Sequence, residues 1–252
     1  MGGGFPNTAL RDLEDTRVFD FIDYILFDDG ERPLLNLIDH IANSTSKSKL
    51  LRTMCREDSR VVTHTDSTDH DIPQSKVGTP TYDGLPWELY LKDTTEANNL
   101  NFLSNISSTS KWNKITLAHG CYWRKCTFCD INLDYIDRYD ASGSDFIVDR
   151  MNELYKENGI GTFHFVDEAC PPVQLARISK QLVKQGSNYS WYGNIRFDKA
   201  FNHKITASMA KAGCVGVTGG IEVASDRLLK LIDKLVVFFS LSNVHYFLFN
   251  IS

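Results

Sequence analysis

Three cysteines fall within nine residues, Cys121-Tyr-Trp-Arg-Lys-Cys126-Thr-Phe-Cys129. The last two, with two residues between them, reach one metal centre from a single turn of backbone. The first, five positions earlier, closes the cup. Three thiolates leave a fourth coordination position without a local ligand, and an open position is where a metal centre does chemistry. The thiols must lose their protons to act as ligands, which bound metal enforces. Arg124 and Lys125 stand inside the loop where they would offset a negative centre, and Tyr122 and Trp123 where they would shield it from water and oxygen. The plainer readings of these four are solvated charges and simple packing. The loop follows Ile115-Thr-Leu-Ala-His119-Gly120, a short apolar run and then a glycine suited to a tight turn. A metal loop on the C-terminal end of a strand lies where α/β enzymes place their active sites.

The elements that must position this loop are legible from Lys114 onward. Strands are expected at 115–118, 162–166, 190–195 and 214–217. Helices are expected at 146–156, with Ser144 or Asp145 as N-cap, and at 172–185, stopped by Gly186. Two more follow at 203–212, closed by Gly213, and at 225–233. Strand and helix alternate four times, which predicts parallel βα units. Candidate site residues follow the strands. Asp167 and Glu168 come directly after the second, Asn194 and Arg196 end the third, and Thr218-Gly219-Gly220-Ile-Glu222 follows the fourth. Glycines there let backbone approach a ligand closely. Arg196 has a plainer reading as a salt-bridge partner of Asp198 or Asp226. Cys170 reads as a small buried residue and His119 as strand-end packing.

The block Gly120–Asp130 resembles the cluster loop of radical S-adenosylmethionine enzymes, in the variant spacing of four residues and then two that occurs in cobalamin-associated sub-families. The resemblance covers about Ile115 to Lys234. It implies a partial (β/α) barrel, of which four units are present here. It implies that Cys121, Cys126 and Cys129 hold three irons of a [4Fe-4S] cluster, and that the fourth iron binds the amino and carboxylate groups of S-adenosylmethionine. Phe128 matches the aromatic position beside the adenine. Asp167 and Glu168 match a segment that contacts the methionine amino group, Arg196 a position near its carboxylate, and Glu222 the acidic position that contacts the ribose or methionine part. The implied reaction passes one electron into the sulfonium and gives a 5′-deoxyadenosyl radical that abstracts hydrogen from a substrate. An electron donor such as flavodoxin or ferredoxin is implied as partner. The substrate is not identified.

Residues 1–54 resemble the last units of the cobalamin-binding domain in the same enzymes: a glycine turn, a strand-like run Val18–Phe27, and a helix from Pro33 to about Ala42. The Asp-x-His-x-x-Gly ligand motif is not found, so cobalamin binding is not expected of this chain alone, and a remnant packing on the barrel is. Residues 55–113 read as linker and lead-in, with Arg60–Lys76 lacking periodicity and Trp87–Leu91 forming a short element. Residues 235–252 form an apolar tail broken by Ser, Asn and His. It is read as a truncated or frame-shifted end rather than a membrane anchor.

Composition fits one large α/β domain or two small ones: 252 residues, 42% hydrophobic, net charge −5. No Lys/Arg-rich run offers a nucleic-acid surface. Six unevenly spread cysteines without a secretory signal predict a reducing, cytoplasmic setting rather than a disulfide framework. Two other readings of the loop remain at this level. One is a structural zinc site with His119 or Cys170 as fourth ligand; the other is an inactive cluster-binding fragment.

Overall fold

A computed structural model of the chain describes residues 1–86, 112–223 and 225–234. Two compact units are found, one comprising Met1–Val77 with Asp130–Tyr139, the other Gly78–Cys129 with the chain from Asp140 on. The tail after Lys234 and the Trp87–Leu91 element lie outside the described residues. No helix among the described residues is long and apolar enough to cross a membrane.

The first unit is built on a three-stranded antiparallel meander, β1 (Tyr24–Leu26), β2 (Thr53–Glu57) and β3 (Arg60–His64). Alternation sorts its side chains. Ile25 and Met54 pair on one face and pack with Phe19 and Phe27, while Leu26 on the other meets Leu50 and Leu37. Leu37 belongs to helix α2 (Glu31–Asn43), which follows a short α1 (Gly4–Ala9). Pro33 sits in the first turn of α2, where its missing N–H costs nothing. Asp58 and Ser59 join β2 to β3 with φ of 44° and 65°, a two-residue turn whose left-handed residues match the twist of the strands.

Two expectations change here. Of the run Val18–Phe27 only Tyr24–Leu26 is strand; Thr16–Asp20 is a 3-10 turn, started by Asp15, whose side chain accepts the Arg17 N–H. Within Arg60–Lys76, the first five residues form β3. That edge strand is polar and partnered on one side only, so it lacks the apolar period that marks a strand in sequence.

In the second unit four parallel strands stand in sequence order: β4 (Asn113–Ile115), β7 (Thr162–Phe165), β8 (Ser190–Asn194) and β9 (Cys214–Thr218). Between the first two of these lie the short antiparallel β5 (Ala118–His119) and β6 (Asp140–Ala141), with helix α3 (Asp134–Asp137) in the intervening chain. The expected first strand thus ends early. Ala118 and His119 leave the main sheet and pair with Ala141 and Asp140, pinching the base of the cysteine loop. Helices α4 (Ser144–Asn158), α5 (Pro172–Gln185), α6 (His203–Lys211) and α7 (Asp226–Leu231) follow the strands in turn. Gly159 and Gly186, at φ 71° and 66°, end α4 and α5 in the left-handed conformation that glycine adopts without penalty. Gly143 occupies the N-cap position of α4 instead of Ser144 or Asp145, which lie inside its first turn.

Period two divides the parallel sheet into a helix face and an open face. Phe163, Phe165 and Trp191 are fully buried among Met151, Leu154, Ile178 and Leu182. On the opposite face His164 stacks on Tyr192 with ring centroids 4.1 Å apart, and Trp112 meets Tyr192 edge-on at 4.9 Å. Burial, with help from Lys114, lowers the His164 pKa, so this face carries a neutral imidazole at pH 7. The result is a mixed α/β fold with a parallel sheet whose C-terminal edge presents every loop that the sequence marked as chemical.

Candidate functional site

The cysteine loop starts at Gly120, whose φ of 73° turns the chain out of β5. Cys129 N–H donates to the Cys126 carbonyl at 3.1 Å, closing the Cys-x-x-Cys turn. Two bonds tie the loop to the end of α7: Thr127 N–H donates to Ile232 carbonyl at 3.0 Å, and Trp123 Nε1 to Asp233 carbonyl at 2.8 Å. All three cysteines are half-buried.

Arg196 and Lys234 converge on this loop. Arg196 is 4% exposed and stacks over Trp123 at 4.0 Å. One of its terminal nitrogens lies 3.9 Å from the Cys126 sulfur; the other donates to the Lys234 carbonyl at 2.6 Å. Its Nε is buried without a hydrogen-bond partner, 4.0 Å from Asp198. Asp198 in turn accepts the Tyr122 hydroxyl at 2.8 Å. The sequence alternatives for Arg196 therefore combine: it touches both the cysteine loop and Asp198. Lys234 Nζ lies 5.4 Å over the Phe128 ring and donates to Glu222 at 2.9 Å. Burial raises the Cys126 pKa, and Lys234 and Arg196 pull it back down. A buried guanidinium beside Cys126 and an ammonium over the loop's Phe128 suit an anionic thiolate-bound centre, so the donor set fits an iron–sulfur cluster.

Asp167 has a different position from the one its neighbours suggest. It is 2% exposed, and its carboxylate accepts Leu117 N–H at 3.0 Å and Ala118 N–H at 2.8 Å. It braces the segment that launches the cysteine loop, whereas Glu168 is exposed. Gly219 likewise has a packing reason. A methyl group there would overlap the Ile195 carbonyl and approach the Phe197 ring at 2.9 Å. Gly220 leaves room for the Glu222 carboxylate, and Glu222 itself takes a left-handed φ of 63°. Phe128 is 56% exposed at the loop surface. Cys170 is fully buried in the core, and His119 lies in β5. Nothing in the sequence marks Lys234: it follows a short helix without a motif, and the docking of the loop on that helix end brings it over the Phe128 ring.

No protein-family model matches the chain. An uncharacterized methyltransferase of Pyrococcus horikoshii, PH0819, is 24% identical over 238 residues, covering 93% of this chain and 47% of that protein. Among solved structures, the cobalamin-dependent S-adenosylmethionine radical enzyme OxsB is similar with a TM-score of 0.66 at 16% identity, over 95% of this chain and 33% of that one. The radical S-adenosylmethionine methyltransferase TsrM from Kitasatospora setae, with tryptophan and a cofactor analogue bound, gives 0.68 at 17% identity, over 98% of this chain and 46% of that one. TsrM with cobalamin and a [4Fe-4S] cluster gives 0.68 at 16%. The chain thus spans about half or less of the proteins it matches. The fold is similar to that of radical S-adenosylmethionine enzymes, and the likeness reaches well beyond the 115–234 region marked by the motif.

Proposed function

We propose that this chain carries the cluster-binding part of a cobalamin-associated radical S-adenosylmethionine enzyme, with methyl transfer as the reaction class. The observation that carries this reading is the placement of buried Arg196 against Cys126, in a three-cysteine loop at the C-terminal edge of a parallel sheet where Lys234 lies over Phe128. Cys121, Cys126 and Cys129 would hold a [4Fe-4S] cluster, and S-adenosylmethionine would complete the open position. When bound, the cluster supplies the single electron for reductive cleavage of S-adenosylmethionine.

The remaining work belongs to side chains. Arg196 and Lys234 lower the cost of three thiolates in a half-buried site. Trp123 and Tyr122 cover the guanidinium and exclude water from it. Asp167 fixes the loop base. Glu168 is the exposed carboxylate left near the strand ends to meet an ammonium group, Glu222, already held by Lys234, stands at the ribose or methionine part, and Phe128 offers a ring face to the adenine. The open face with His164 and Tyr192 lies inside the partial barrel of this reading. Residues 1–54 serve as a remnant of a cobalamin-binding-like unit, and a flavodoxin or ferredoxin supplies electrons.

The test is anaerobic reconstitution with iron and sulfide, then dithionite and S-adenosylmethionine, on the wild type and Cys126→Ala. Close to four irons per chain in the wild type, lost in the variant, with 5′-deoxyadenosine formed, is the expected result. Stoichiometric zinc without sulfide would overturn it.

A further inference from the structure

The β2–β3 hairpin of the first unit brings together three side chains of metal-ligating type. Cys55, Glu57 and His64 each place a donor atom within 4.8 Å of the other two, the one such trio among the described residues. The register explains why. Cys55 and Glu57 are two apart on β2 and so share a face, and His64 is opposite Thr53 on that same face. Glu57 Oε1 is the hub, 2.9 Å from His64 Nε2 and 3.7 Å from Cys55 Sγ. Lys47 also reaches it, at 2.6 Å.

The order of contacts decides what the trio can do. A nucleophilic cysteine needs a base on its sulfur, with the acid behind that base. Here the carboxylate lies between thiol and imidazole, so the arrangement is not a catalytic triad. It is instead three ligand atoms of different type close to one another, with Glu57 Oε1 between the other two. Bond lengths to zinc of about 2.3 Å for sulfur and about 2.1 Å for oxygen give a tetrahedral S···O separation near 3.6 Å, close to the 3.7 Å found, while the His64–Glu57 hydrogen bond of 2.9 Å must open to about 3.4 Å. A mixed sulfur, nitrogen and oxygen set selects a borderline divalent ion. Cys55 is 4% exposed while the side chains of His64 and Glu57 are 14% and 28% exposed, so the site has a dry floor and an open rim.

We propose that Cys55 Sγ, Glu57 and His64 Nε2 form a binding site for one zinc-like divalent ion, separate from the cysteine loop. Binding releases the Cys55 thiol proton to solvent, and water takes the fourth position. Lys47 must give up Glu57, so the site competes with an ion pair. The ion would fasten the far end of β3 to β2 and make this polar edge strand stiffer.

The test uses the full chain with Cys121, Cys126 and Cys129 all changed to Ser, titrated with Co2+ and then Zn2+. A single Co2+ should bind with a thiolate-to-cobalt charge-transfer band, and Zn2+ should displace it. Cys55→Ser should abolish the band. His64→Asn and Glu57→Gln, at partly exposed positions, should weaken binding by roughly tenfold or more. Lys47→Met should tighten it. The absence of a charge-transfer band, or an affinity left unchanged by His64→Asn, would overturn the site without touching the cluster reading.

Discussion

Asp167 holds the backbone of Leu117 from across the sheet: both carboxylate oxygens accept its N–H at 3.0 Å. The two residues are 50 positions apart, so an acid that follows β7 sets the path of the chain leaving β4. Burial pushes the Asp167 pKa up to about 6, against the pull of the Leu117 and Ala118 amides. The folded pKa then exceeds the unfolded one, near 3.8. Between those values the folded chain binds more protons than the unfolded chain, so this group makes stability fall as pH rises from about 4 to about 6. Asp167→Asn cannot titrate. Thermal melts across that range should show the wild type losing stability relative to the variant as pH rises; parallel curves would refute the shift. Asp167→Ala, which strands two buried amides, should cost about 1–3 kcal/mol in urea unfolding.

Arg196 is expected to act on the cysteine loop through charge and stacking together. Arg196→Lys keeps the charge but loses the planar group over Trp123. Cluster retention after reconstitution should fall roughly 10- to 100-fold in Arg196→Ala, with Arg196→Lys recovering part of it. Iron and sulfide content after gel filtration measures this, and wild-type content in Arg196→Ala would remove Arg196 from the site.

Cys170 separates the loop reading from a four-cysteine zinc site. Its thiol is fully buried, and burial raises its pKa well above the usual value, as does nearby Asp167. Cys170→Ala should leave metal content unchanged and cost only about 1 kcal/mol of stability for a small cavity. Metal analysis beside Cys126→Ala checks it.

Gly219→Ala should destabilise the second unit by about 1–3 kcal/mol, because the added methyl would overlap the Ile195 carbonyl and crowd the Phe197 ring just past the last β8–β9 pair, Asn194–Thr218. Glycine was singled out there for approach to a ligand. Chemical denaturation without cofactor tests the packing cause, which predicts the full loss in the unloaded chain.

Ser59→Gly should stabilise the first unit by about 1 kcal/mol, since Ser59 holds φ at 65° in the hairpin turn. A raised denaturation midpoint is the expected outcome.

What the sequence determined is local. Cysteine spacing, the alternation of strand and helix after Lys114, the span of α5 and its glycine stop at Gly186 are all written in residues a few positions apart. Period and capping are short-range properties, so they survive reading one residue at a time. Tertiary structure alone decided which carboxylate is buried and which faces out. Asp167 and Glu168 are adjacent in sequence and opposite in role, because only one meets the Leu117 and Ala118 amides. It also brought Arg196 to Cys126 and Lys234 over Phe128, made β3 a strand by pairing it with β2, and gathered Cys55, Glu57 and His64. Each of these depends on which backbone lies alongside which, and that contact free energy has no local signature.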